Sequence, residues 1–165
     1  MTALIALLAV TDAAAASEPS PYVMTRASAA ATAGGDRIAA VGSVGMGAEW
    51  DNGNSLGMRF MYAPSPPDAL WLEPGPYAAG PAVDWKYYVG VSDNFDMYPA
   101  MSVGILYAPE QGTGRTLLLP VAEAGFGMRL KTDNAEGSNV WVAPQFDLIP
   151  LALGANVSLN AGMNF

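Results

Sequence analysis

The last fifteen residues, Leu151 to Phe165, alternate without interruption. The odd positions are apolar: Leu151, Leu153, Ala155, Val157, Leu159, Ala161, Met163 and Phe165. The even positions are small or polar: Ala152, Gly154, Asn156, Ser158, Asn160, Gly162 and Asn164. Side chains of a strand point to opposite faces in turn, so this segment predicts one long two-faced strand. Strands of soluble domains usually run to about five or six residues. A tilted strand that crosses a bilayer needs about nine to eleven. The segment therefore constrains the fold to all-β architectures built from long strands.

The same period-two pattern recurs upstream, broken by turn residues. Ile38 to Trp50 alternates, and Asp51-Asn52-Gly53-Asn54 follows it. Asn-Gly between two alternating runs is a strong hairpin signal. Leu56 to Tyr62 forms the return strand. Further strands are predicted at Val83–Val91, Met97–Tyr107, Leu118–Lys131 and Val140–Leu148. With the closing segment these make seven. An eighth is assigned to Tyr22–Ala31, whose alternation is weaker and which precedes the Gly34-Gly35-Asp36 turn. Residues 63–82 hold two proline clusters and read as one long loop, because proline cannot donate to a sheet ladder. Asp93–Asp96 is predicted as a turn.

The charges fall on one side of this pattern. Glu49, Arg59, Asp84, Lys86, Glu123, Arg129, Lys131 and Asp147 all share the small or polar face of their strands. That face is otherwise mostly Gly, Ala, Ser and Asn. Such small residues suit a narrow lumen better than a solvated sheet. Four acidic against four basic residues would form a salt-bridged plug, since buried charges must be paired. Solvated surface charges are the alternative reading. Trp50, Tyr62, Trp85, Tyr107 and Phe165 fall near strand ends on the apolar face, where a membrane barrel places its interfacial aromatics.

A closing strand that ends in Phe, with apolar residues at every second position before it, resembles the C-terminal signature of bacterial outer-membrane β-barrels. The resemblance spans residues 37–165 by pattern and rests most on that last strand. It implies a transmembrane, antiparallel, up-and-down β-barrel of eight strands, sitting in outer-membrane lipid. It also implies that Leu159, Ala161, Met163 and Phe165 act as the signal read by the barrel-assembly machinery. Proteins of this kind mostly serve structural, adhesive or interaction roles. The expectation is a non-enzymatic barrel with an occluded lumen, meeting a protein partner through loop 63–82. A small passive porin is the alternative. A secreted soluble β-sandwich or lipocalin-like binder is a further one, because periodicity alone does not say which face meets solvent.

Composition narrows the chemistry. The chain has no cysteine and no histidine, so thiolate sites and the commonest general base are excluded. A net charge of −8 opposes binding to nucleic acid. Gly42-Ser43-Val44-Gly45 is no nucleophile elbow, since Val41 stands where that motif needs glycine. The Asp/Asn clusters at 51–54 and 93–96 are read as turn chemistry rather than calcium sites. No catalytic residue, metal or cofactor is expected. At the N-terminus, the short apolar run Ala3–Val10 and the small residues Ala13–Ala16 predict a cleaved export signal over residues 1–16, although no Lys or Arg precedes the run. Residues 17–165 would then form one barrel domain, with Ser17–Pro21 a flexible leader.

Overall fold

In the computed structural model, residues 18–32, 38–64, 77–110, 112–133, 139–150 and 154–165 are described. The predicted signal at 1–16 and most of loop 63–82 lie outside them. The strands are β1 (Ser20–Thr32), β2 (Ile38–Glu49), β3 (Asn54–Ala63), β4 (Ala78–Tyr87), β5 (Val89–Ser92), β6 (Phe95–Pro109), β7 (Thr116–Asp133), β8 (Asn139–Ile149) and β9 (Gly154–Asn164). All pairings are antiparallel. The first strand pairs with the last, Arg26 opposite Asn160, so the sheet closes on itself. β4 and β5 are one barrel strand interrupted at Tyr88, and both pair with β6. The result is a closed eight-stranded barrel.

The soluble alternatives fail on which face points outward. Ile38 is 75% exposed and Met46 67%, whereas Arg59 is 4% exposed and Asp147 1%. A sandwich, or a lipocalin-like barrel in water, would bury the first pair and solvate the second. Here the apolar residues form the outer surface and the charges fill the interior, the arrangement of a membrane barrel.

Three expectations from sequence need correction. Tyr22–Ala31 lies within a full strand, and Ser20 and Pro21 belong to it rather than to a flexible leader. Pro21 O accepts from the Phe165 N–H at 2.9 Å, which ties the start of β1 to the last residue. Residues 78–82 are strand rather than loop, despite Pro81. Pro81 keeps its register with Phe60 on β3, while the β4–β6 register skips Gly80 and Pro81. A strand with two neighbours can lose one ladder bond and remain a strand. Pro144 is similar: it is paired with Leu159 on β9 and absent from the β7–β8 register. Finally, Phe95 and Asp96 open β6, so the turn is confined to Asp93 and Asn94.

The Asn-Gly hairpin forms as read. Gly53 takes φ +84°, the left-handed conformation that costs glycine little. Its N–H donates to Trp50 O at 2.9 Å. This turn, Asp93–Asn94, the start of β1 and Phe165 share one rim. The β3–β4 and β6–β7 connections lie at the other.

Candidate functional site: the charged lumen

Three layers of side chains fill the lumen, and each follows from the inward positions of neighbouring strands. Nearest the start of β1 and Phe165, Arg129 on β7 donates from Nη1 to Glu49 on β2 at 2.5 Å and from Nε to Asp96 on β6 at 2.8 Å. Its guanidinium carbon lies 3.5 Å from the centre of the Tyr88 ring, a cation–π contact. Lys131 pairs with Asp96 at 3.2 Å. β2 and β7 are four steps apart around the eight-strand ring, so the Arg129–Glu49 pair crosses its diameter.

The next layer is aromatic. Tyr22 meets Trp141 edge-on, with centroids 6.4 Å apart, and Tyr88 meets Tyr98 at 5.0 Å. Three of these rings fit because each lies across a glycine of the adjacent strand. Tyr22 is in register with Gly47, Tyr98 with Gly127 and Trp141 with Gly162. A Cβ at any of the three glycines would overlap the ring. The Gly-rich inner face is thus the complement of the rings as well as of the charges.

Above it lies a second ionic cluster. Arg26 on β1 reaches Asp147 on β8 at 2.6 Å and Glu123 on β7 at 3.4 Å. Arg59 on β3 donates to Asp84 at 2.9 Å and to Ser102 at 2.8 Å, and also pairs with Glu123. Glu123 is the hub, accepting in addition from Ser102 and Asn156. Gln145 Nε2 donates to Asp147 at 2.6 Å. Beyond this cluster the inner wall turns apolar, with Ala63, Ala78 and Ala108 packed against Leu106, Leu117 and Leu119.

The eight charges singled out by alternation all lie on the inner face. Seven form ion pairs; Lys86 does not. Its Nζ is 3.7 Å from Met24 Sδ and lies 5.5 and 5.7 Å from the Tyr98 and Trp141 ring centres. Among the described residues it has no carboxylate partner. Lys86→Met is therefore expected to hold or raise stability, because it removes a buried ammonium without stranding an anion. A urea midpoint lower than that of the unmutated protein would contradict this.

Two further lumen charges are not apparent from alternation. Arg26 sits on the strand with the weakest alternation, and Asp96 follows a turn whose composition extends over it. With them the lumen holds five cations and five anions among the described residues, so the charges described there cancel.

The aromatics expected at the membrane interfaces divide between the rims. Tyr62, Ala79 and Tyr107 are level with one another across β3, β4 and β6. Tyr62 also stacks on Tyr77, 6.4 Å away. Trp50, Trp85 and Phe165 lie toward the opposite rim. Trp85 is level with Met101, six residues along β6 from Tyr107. At about 3.3 Å per residue, the two belts are roughly 20 Å apart along the strand. Leu159 and Phe165 face outward, 54% and 58% exposed, and Ala161 shares their face.

No family model and no curated protein matches the chain. Solved structures do. The neisserial surface protein A, NspA, superposes with a TM-score of 0.58 at 8% identity, over 88% of this chain and 95% of that one. The N-terminal β-barrel domain of Pseudomonas aeruginosa OprF gives 0.59 at 11%, over 90% and 100%. Ail, the attachment invasion locus protein of Yersinia pestis, gives 0.53 at 9%, over 90% and 97%. At such identities the likeness is one of fold: this chain is built as the small outer-membrane β-barrels are.

Proposed function

We propose that this chain is a non-enzymatic outer-membrane barrel whose lumen is closed by ion pairs and which acts through the rim opposite Phe165. The Arg129–Glu49 pair carries this reading. It spans the barrel between opposed strands, above it lies a layer of rings, and above that the Arg26–Arg59–Glu123 cluster. Eight strands leave an interior that side chains just fill. A route for solute would have to break several charge-assisted bonds at once. The outward apolar face and the two aromatic belts support residence in a bilayer.

Activity is then assigned to surfaces, and the rim that carries the β3–β4 connection is the one proposed to meet a protein partner. The fold is shared with a protein named for attachment and invasion and with a surface protein, which is consistent with such a role. Leu159, Ala161, Met163 and Phe165 are proposed to be read by the assembly machinery while the barrel inserts.

The test is reconstitution. Protein extracted from envelopes should stay with the membrane in carbonate and shift in mobility between unboiled and boiled samples on a gel. In planar bilayers it should give no steady current. Release into the aqueous phase would refute membrane residence. Steady, sizeable single-channel currents would refute the closed lumen and establish a porin.

A further inference from the structure

The interior wall formed by β2, β1 and β9 differs from the rest of the lumen. Every buried side-chain nitrogen or oxygen without a hydrogen-bond partner among the described residues lies on it: Arg26 Nε, Ser43 Oγ, Asn156 Oδ1 and Asn160 Oδ1. Three of these belong together. Ser43 is directly opposite Arg26 across β1–β2, and Asn160 is directly opposite Arg26 across β1–β9. Opposed residues on one face of a sheet have Cβ atoms about 4.5–5.5 Å apart, so Ser43 and Asn160 are each an immediate neighbour of Arg26, one on either side of it. Arg26 is 5% exposed, Ser43 8% and Asn160 0%, so bulk solvent does not satisfy them.

The geometry points to a bound water molecule held by Arg26 Nε, Ser43 Oγ and Asn160 Oδ1. The other atoms of these side chains are already committed. Arg26 spends Nη1 and Nη2 on Glu123 and Asp147. Asn160 Nδ2 donates to Ala143 O at 3.0 Å and to Gln145 Oε1 at 3.4 Å, which fixes the amide with its oxygen left over. What remains is one obligate donor, one obligate acceptor and one hydroxyl that can be either. Water matches that set: it accepts from Arg26, donates to Asn160 and takes either role toward Ser43. An anion would face the Asn160 carbonyl oxygen, and a cation would face the guanidinium. Buried waters typically make about three hydrogen bonds to groups that lack other partners.

The inference rests on the closed-lumen reading and refines it. The plug is hydrated along one wall, and the water completes the coordination of Arg26, the only cation that Asp147 pairs with among the described residues. Site and plug are separable by experiment, since conductance tests the plug and the water is read spectroscopically.

The experiment is NMR of the 15N-arginine-labelled protein folded in detergent micelles, with the Arg26 signal assigned by its loss in Arg26→Lys. The expected result is a cross-peak between water and Arg26 Nε–H with the sign of a water held longer than nanoseconds. Ser43→Val, which fills the space with methyl groups, should abolish it while the gel mobility shift persists. No such cross-peak in the unmutated protein would overturn the inference. So would an unchanged cross-peak in a folded Ser43→Val, or a crystal structure in which Arg26 Nε donates directly to Ser43 or Asn160. Should Ser43→Val not fold, the unmutated protein decides the matter alone.

Discussion

Arg59→Ala is expected to lower the stability of the folded barrel by about 3–5 kcal/mol, the usual cost of stranding one partner of a buried ion pair. Arg59 is the only cation paired with Asp84 among the described residues, and it supplies one of the two guanidiniums on Glu123. Alanine leaves Asp84 buried, 5% exposed, with no ion-pair partner among the described residues. The loss should appear as a lower urea midpoint and a lower temperature for loss of the compact gel form. The double variant Arg59→Met, Asp84→Leu provides the contrast. It removes both charges, leaves Glu123 paired with Arg26, and should recover most of the loss, since apolar replacement of a whole buried pair is often neutral. If Arg59→Ala unfolds at the same urea concentration as the unmutated protein, the pair is not desolvated and the lumen is more open than proposed.

Gly127→Leu is expected to prevent correct closure of the barrel or to destabilise it by at least the roughly 1–3 kcal/mol typical of overpacking. Gly127 is directly opposite Tyr98, which is fully buried, and a Cβ there would already meet the tyrosine ring. The ring has little room to move, because it packs against Tyr88 and donates its hydroxyl hydrogen to Gln145 at 3.2 Å. The measurement is the fraction of refolded protein that shows the mobility shift. Adding Tyr98→Ala to Gly127→Leu should restore folding, since residues in contact do not contribute independently. A single Gly127→Leu that folds normally would show that the ring does not occupy this space.

Much of the lumen is legible in the amino-acid sequence. The eight charges named from alternation all point inward, because a strand's period of two leaves no third direction for a side chain. The same rule fails where other chemistry masks it. Strand β1 contains Ala27-Ser28-Ala29-Ala30-Ala31, and alanine on both faces leaves no contrast to detect. Arg26, the cation that joins Glu123 to Asp147, is hidden for that reason. Asp96 is hidden by its surroundings, because Asp93-Asn94-Phe95-Asp96 is turn-rich in composition while the turn itself needs only two residues. Pro81 is a weaker strand breaker than its chemistry suggests. The rule against proline describes strands whose every ladder bond is needed, and here the missing bond falls on one side only.

The sequence by itself determined that the chain is all-β, that its strands are long and two-faced, where most turns fall, and which face of each strand carries charge. Those properties are local, set by side-chain alternation and by the backbone preferences of Gly, Asn and Pro. Only the tertiary structure decided which face is inside, since alternation is identical in a soluble sandwich and a membrane barrel. Closure of β1 on β9 settled it by placing the charged faces in one enclosed volume and the apolar faces outside. Pairing, too, was a tertiary outcome. Arg129 finds Glu49, eighty residues away in sequence, because β2 and β7 stand opposite each other in an eight-strand ring. Lys86 finds no carboxylate because its position on β4 places it among the rings. Charge placement follows from the pleat, but partners follow from the curvature and register of the closed sheet, which no single strand encodes.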